Sequence, residues 1–174
     1  ETERNHAHGI LLNELKSARY LNLIRRLQQT AQDLVVIEAT IALKDLAKSS
    51  FKKLRKSILR LAAAPSDVAL HKIRIKTKRA RYAAELAETT VGKAATRFIK
   101  RACTLQDILG MHQDAIQAEA HVRAFLKQST NVRAAFVAGR MVERQRERRK
   151  EARKNMRNIW NRLLKRGEKA WQSA

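Results

Sequence analysis

The chain has 174 residues, enough for one domain or two small ones with a core of ordinary size. Lys and Arg number 38 against 16 Asp and Glu, a formal net charge of +22, while 44% hydrophobic residues mark a packed chain and not a solvated tail. Five Gly, one Pro and many strong helix formers exclude a sandwich, a barrel or a collagen-like rod, and the lone Cys103 excludes an internal disulfide and a cysteine-built zinc site.

The elements follow in chain order. A first helix is expected from about Arg4 to Gln28, with Leu11, Leu15, Ala18, Leu23 and Leu27 inside. Thr30 to Asp33 is a polar break, and Asp33 is suited to cap the next helix. That second helix carries Leu34, Ile37, Ile41, Ala47, Phe51, Leu54, Ile58 and Leu61. Its last five positions keep one apolar stripe in line, and it ends before Pro65. Ser66 or Asp67 caps a third helix reaching about Glu88. Gly92 separates it from a fourth, which is expected to end at Leu109 because Gly110 is a natural helix terminator. A fifth runs from about His112 to Lys127, with Asp114 at its positive end and His112 bonding to the turn. After Ser129–Asn131 a long closing helix spans about Val132 to Arg166. Val142, Gln145, Arg149, Ala152, Met156, Ile159 and Leu163 form its inner stripe. Its charge-dense run Glu143–Arg157 reads as a solvated, salt-bridged face. The fold class is therefore all-α: antiparallel bundles of about six helices joined by short connections, with a long C-terminal helix.

The third helix does not read as scaffold. Six of the twelve residues from His71 to Tyr82 are Lys or Arg and none is acidic. On a helical wheel Leu70, Ile73, Ala80, Ala84 and Ala87 gather on one side, and Ile75, Tyr82 and Leu86 on another. His71, Arg74, Lys78 and Arg81 fall between them in one stacked row, while Lys72, Lys76 and Arg79 lie on the opposite arc. Two apolar sides predict a helix gripped twice, so the row would line a cleft. Positive groups confined there repel one another, and an anion would offset that. The bland alternative is a solvated basic face. Lys52, Lys53, Lys56 and Arg60 extend the basic character onto the second helix.

Signals for other chemistry are weak. His6, His8, His112 and His121 have no spacing that joins them into a metal site. Gly-rich phosphate loops and a G-x-S-x-G elbow do not occur. No close pair of acids sits beside a nucleophile, so no catalytic residue, metal or cofactor is expected.

Leu70-His71-Lys72-Ile73-Arg74-Ile75-x-x-Lys78-Arg79-x-Arg81-Tyr82-x-x-Glu85 resembles the signature of the CHAD domain, the conserved histidine α-helical domain, in the form found in the family's second half. Leu105-Gln106-Asp107-Ile108-Leu109-Gly110-x-His112-x-Asp114 is similar to its following helix-break motif, and Arg140 through Trp160 to its long closing helix. The resemblance implies two related helical bundles with basic residues lining a central cleft or pore. It also implies binding of inorganic polyphosphate and, in some members, association with polyphosphate granules. The family's motif histidine maps onto His71, and its basic positions onto Arg74, Lys78, Arg79 and Arg81. Lys72, Lys76, Lys52, Lys53, Lys56 and His112 are secondary candidates. Only one His-x-x-Arg helix is present, so residues 1–174 read as a single CHAD-like domain lacking part of its N-terminal half.

The leading expectation is a non-catalytic polyphosphate binder. The first rival is a nucleic-acid binder, indifferent to base sequence because only eight aromatic residues are available for stacking and Phe51 and Trp160 sit on or beside inner stripes. The second is a targeting module for a fused enzyme. The third, an enzyme acting on phosphoanhydrides, lacks a metal-binding acid cluster. The lone cysteine fits a reducing, cytoplasmic setting. No apolar run approaches the twenty or so residues of a membrane span.

Overall fold

The computed structural model describes residues 2–33, 42–127 and 129–172. These form seven helices and, among the described residues, no strand. The chain divides into two compact units, residues 1–40 and 41–174.

The first unit holds α1 (Thr2–Lys16) and α2 (Ala18–Gln32). The single helix expected over Arg4–Gln28 is broken at Ser17, whose backbone is extended (φ −66°, ψ 149°). Its hydroxyl donates to the Glu14 carbonyl at 2.7 Å and accepts from the Tyr20 amide at 3.2 Å. That one residue thus ends α1 and caps α2. The second helix also runs past the break expected at Thr30. The Thr30 hydroxyl folds back on the Arg26 carbonyl at 2.8 Å, and Asp33 closes α2; the helix it was expected to cap would start among residues outside the described ones. Leu34, Ile37 and Ile41 lie outside the described residues.

In the second unit α3 (Leu43–Leu59) buries Ala47, Phe51, Leu54 and Ile58, four of the five in-line positions expected; the helix ends before the fifth, Leu61, which is half-buried in the loop. The loop from Arg60 carries the chain through Pro65 to Ser66. The Ser66 hydroxyl accepts from the Ala69 amide at 3.2 Å and caps α4 (Asp67–Leu86). After the short α5 (Glu88–Val91), Gly92 adopts φ +69°, a left-handed turn open to glycine at no steric cost. There α6 (Lys93–Lys127) begins, running 35 residues without interruption. Gly110 therefore terminates nothing, and the two helices expected on either side of it are one. An interior glycine costs about 1 kcal/mol relative to alanine. Burial of Leu105, Leu109, His112 and Ala115 around it outweighs that. The closing helix α7 (Val132–Gln172) is longer than expected. Its extension seats Trp171, 2% exposed, against Phe98, which in turn meets Phe51 edge-on at 5.6 Å. Both α3 and α6 flank α4, and α6 and α7 pair along their length.

Candidate functional site

The row on α4 lies at the edge of its buried face. Leu70, Ile73, Thr77, Ala80, Ala83 and Ala84 are buried. Within that face the Thr77 hydroxyl satisfies itself on the Ile73 carbonyl at 2.8 Å. The second apolar side behaves otherwise: Ile75, Tyr82 and Leu86 are 38%, 49% and 59% exposed. So α4 is not gripped on two opposite sides. Its two neighbours cover adjoining arcs of one face, and the basic row runs along the margin facing α6.

Arg74 and Lys78, both half-buried, line a groove of about 400 Å³ with Gln106, Asp107, Gly110, Met111 and Asp114 of α6. Neither cation has a hydrogen bond or ion pair among the described residues. The Nε atoms of Arg74 and Arg81 and Nε2 of Gln106 are buried donors without an acceptor. Sequence reading missed the two carboxylates here. Asp107 and Asp114 sit seven residues apart on α6, so both face the row. Two cations and two acids thus share the groove, unpaired.

The other candidates disperse. His71 is exposed at the N-terminal end of the row. Arg81 is held by Glu85, Nη1 to Oε1 at 2.6 Å, and lies over the Tyr82 ring at 4.4 Å. Burial opposes its charge, but Glu85 foremost and Tyr82 raise its pKa above the ordinary arginine value. Arg79 and Lys72 are exposed on the far arc. Lys76 crosses to α3, its Nζ donating to the Ser57 hydroxyl at 2.5 Å. Lys52, Lys53 and Lys56 are exposed on α3.

His112 must be moved out of any ligand set. It is 1% exposed in mid-α6, with neither a helix start nor solvent beside it. Its Nε2 accepts from Arg153 Nε at 3.1 Å, which places the imidazole proton on Nδ1. Arg153 also donates to the Pro65 carbonyl at 2.8 Å and to Asp67 Oδ1 at 2.5 Å. Arg149 extends the network, with Asp67 Oδ2 at 3.7 Å and Glu119 Oε2 at 2.5 Å. Arg123 and Arg146 complete the ring around Glu119. Hydrogen bonding from Arg123, then the charges of Arg149 and Arg146, hold the Glu119 carboxyl below its usual range against the opposing effect of burial. These residues tie the start of α4 to α6 and α7. The sequence carried one hint: Arg149 fell on the inner stripe of α7, and an inward arginine needs a carboxylate.

The comparisons with known proteins agree with the motif reading. The family model of the CHAD domain matches residues 1–123, which takes in α1 to α5 and α6 as far as Arg123. Both quoted motifs on α4 and α6 lie inside the match, whereas α7, likened above to the family's closing helix, lies beyond it. No curated protein and no solved structure matches the chain. With the matched segment covering well over half of its length, this chain belongs to the CHAD-domain family.

Proposed function

We propose that the chain is a non-catalytic module that binds inorganic polyphosphate, starting from the groove between α4 and α6. The observation that carries this reading is the pair Arg74 and Lys78, adjacent cations on the wall of one groove with no hydrogen-bond or ion-pair partner among the described residues. Arg74 offers a planar fork and Lys78 a mobile point charge, and each phosphate they neutralise releases counterions. His71 extends the row at its exposed N-terminal end. Arg81 would share itself between Glu85 and a phosphate. Membership of a family whose resemblance implies polyphosphate binding supports the same ligand. On this reading the protein acts in the cytoplasm, some of it on polyphosphate granules, and it hydrolyses no phosphoanhydride. One feature favours a second reading, the backbone of single-stranded nucleic acid. Tyr82 is half-exposed beneath Arg81, where a base could stack.

Charge-matched competition separates the two. Long-chain polyphosphate should displace single-stranded RNA, because it packs charge more densely and has no bases to seat in a narrow groove. Equal competition at moderate salt would favour nucleic acid. Changing Arg74, Lys78 and Arg81 to Gln should flatten the dependence of log affinity on log salt by about two, at roughly 0.7 per phosphate neutralised. The control is Gln at Arg144, Lys150 and Arg162, exposed cations of α7 with no ion pair among the described residues. Arg146 and Arg153 are unsuitable as controls because they hold the inner network. Equal losses in the two variants would mean that diffuse charge alone explains binding.

A further inference from the structure

We propose that the seam between α3 and α4 is a second anion-binding strip, separate from the α4–α6 groove, so that one long polyphosphate crosses α4 and engages both. The inference rests on the polyphosphate reading above but on different residues.

Ser57 marks the centre of the strip. Its hydroxyl donates to the Lys53 carbonyl at 2.9 Å and accepts from Lys76 Nζ of the facing helix at 2.5 Å. Lys53, four residues before Ser57, shares its side of α3, and Arg60, three after it, is the cap residue that closes the helix at the same end of the seam. The same spacing around Lys76 on α4 gives Lys72 and Arg79. Five cations thus converge on one seam. Lys53, Arg60, Lys72 and Arg79 are exposed, and none of the four has a hydrogen bond or ion pair from its side chain among the described residues. Lys76, half-buried, has only a neutral hydroxyl.

Nothing in these two helices offsets that charge. α3 carries a single acid, Asp45 in its first turn. α4 carries Asp67 and Glu85, one near each end, and both are engaged by arginines. The groove on the other side of α4 contains Asp107 and Asp114, whereas the seam contains no carboxylate from either of its helices. Surface ion pairs elsewhere in the unit show that acids are placed where cations need them, as Glu168 is for Arg55. Leaving five neighbouring cations unmatched costs repulsion that a linear polyanion removes along its whole length. An α-helix with side chains is only about 10–12 Å across, so an extended chain can pass from Lys78 to Lys76 over the crest of α4.

The test uses inorganic tripolyphosphate and long-chain polyphosphate, titrated calorimetrically against three proteins. These are the wild type, a seam variant (Lys53, Arg60, Lys72 and Arg79 to Gln) and the groove variant described above. The wild type should take two tripolyphosphates, and each variant one. For long-chain polyphosphate the seam variant should flatten the salt dependence by about three, at roughly 0.7 per phosphate. Gln at Arg144, Lys150, Arg162 and Lys165 is the charge-matched control and should change it much less. A seam variant that still takes two tripolyphosphates, or that behaves like its control with the long chain, overturns the second strip and leaves the groove intact. A groove variant that behaves like its own control, while the seam variant loses binding, overturns the groove and leaves the strip. Circular dichroism on each variant excludes unfolding as the cause of loss.

Discussion

A neutral imidazole is what allows His112 to sit 1% exposed between two arginines. Burial first, then the charge of Arg153, push its pKa below the ordinary 6.5; Asp67 opposes them and Arg149 adds to them. Protonation would set an imidazolium against both guanidiniums and remove the lone pair that accepts from Arg153. The folded pKa is lower than the unfolded one, so the unfolded chain binds the proton first. The stabilising contribution is complete above about pH 6.5 and is lost as pH falls through the folded pKa. The melting temperature should therefore be flat above neutrality and decline from about pH 6.5 downward, with His112→Gln, which keeps an acceptor for Arg153, removing that part of the decline. Identical profiles for wild type and variant between pH 7 and 5 would refute the assignment. At this scale the site was only partly legible. The row His71, Arg74, Lys78 and Arg81 follows from three- and four-residue spacing, which a helix converts directly into adjacency. That Asp107 and Asp114 face it, and that Arg81 is held by Glu85, depends on how two helices dock and on a rotamer, and neither is written in local sequence.

Two glycines in the long helices should respond oppositely to the same methyl group. Gly110 is helical, and a Cβ there would meet nothing within 4 Å. Gly110→Ala should stabilise the second unit by about 1 kcal/mol, raising its melting temperature by a few degrees. Gly167 lies where α7 crosses α3, and a Cβ would overlap the Phe51 ring, which is itself fixed edge-on against Phe98. Gly167→Ala should cost about 1–3 kcal/mol by overpacking. Thermal melts of the two variants check both signs, and stabilisation by Gly167→Ala would mean that α7 does not approach α3 this closely. The same pair shows which elements could be read in advance. The α3 stripe, the Ser66 cap and the Gly92 turn are local signals, and each appears where expected. Gly110 is a strong local stop signal that tertiary burial overrides. The Ser17 break is the converse, a cap within an apolar-periodic stretch that the leucine pattern concealed. The last turn of α7 is set by a long-range contact, Trp171 on Phe98, and no local rule supplies it.

Over the whole molecule, several of the 16 acids serve as internal ties. Asp67 and Glu119 join helices, Glu85 holds Arg81, and Glu88 accepts from the Thr96 hydroxyl. Many of the 38 Lys and Arg face outward with no carboxylate partner among the described residues, on α2, α3, α4 and α7 alike. Two effects of salt should then oppose each other. In the free protein, repulsion among outward cations falls as the Debye length shrinks to about 8–10 Å near physiological ionic strength. The inner ties are partly shielded from solvent and are screened less. Added sodium chloride should therefore raise the melting temperature of the free protein. Long-chain polyphosphate should also raise it at low salt, because binding only the folded state adds stability that grows with ligand concentration over Kd. That second increment should shrink as salt rises, since counterion release weakens binding steeply. Melting temperatures measured over a salt series, with and without polyphosphate, should converge from below. A free protein that loses stability on adding salt would show that its ion pairs outweigh its repulsion, and the +22 charge would then give it no thermodynamic need of an anionic partner.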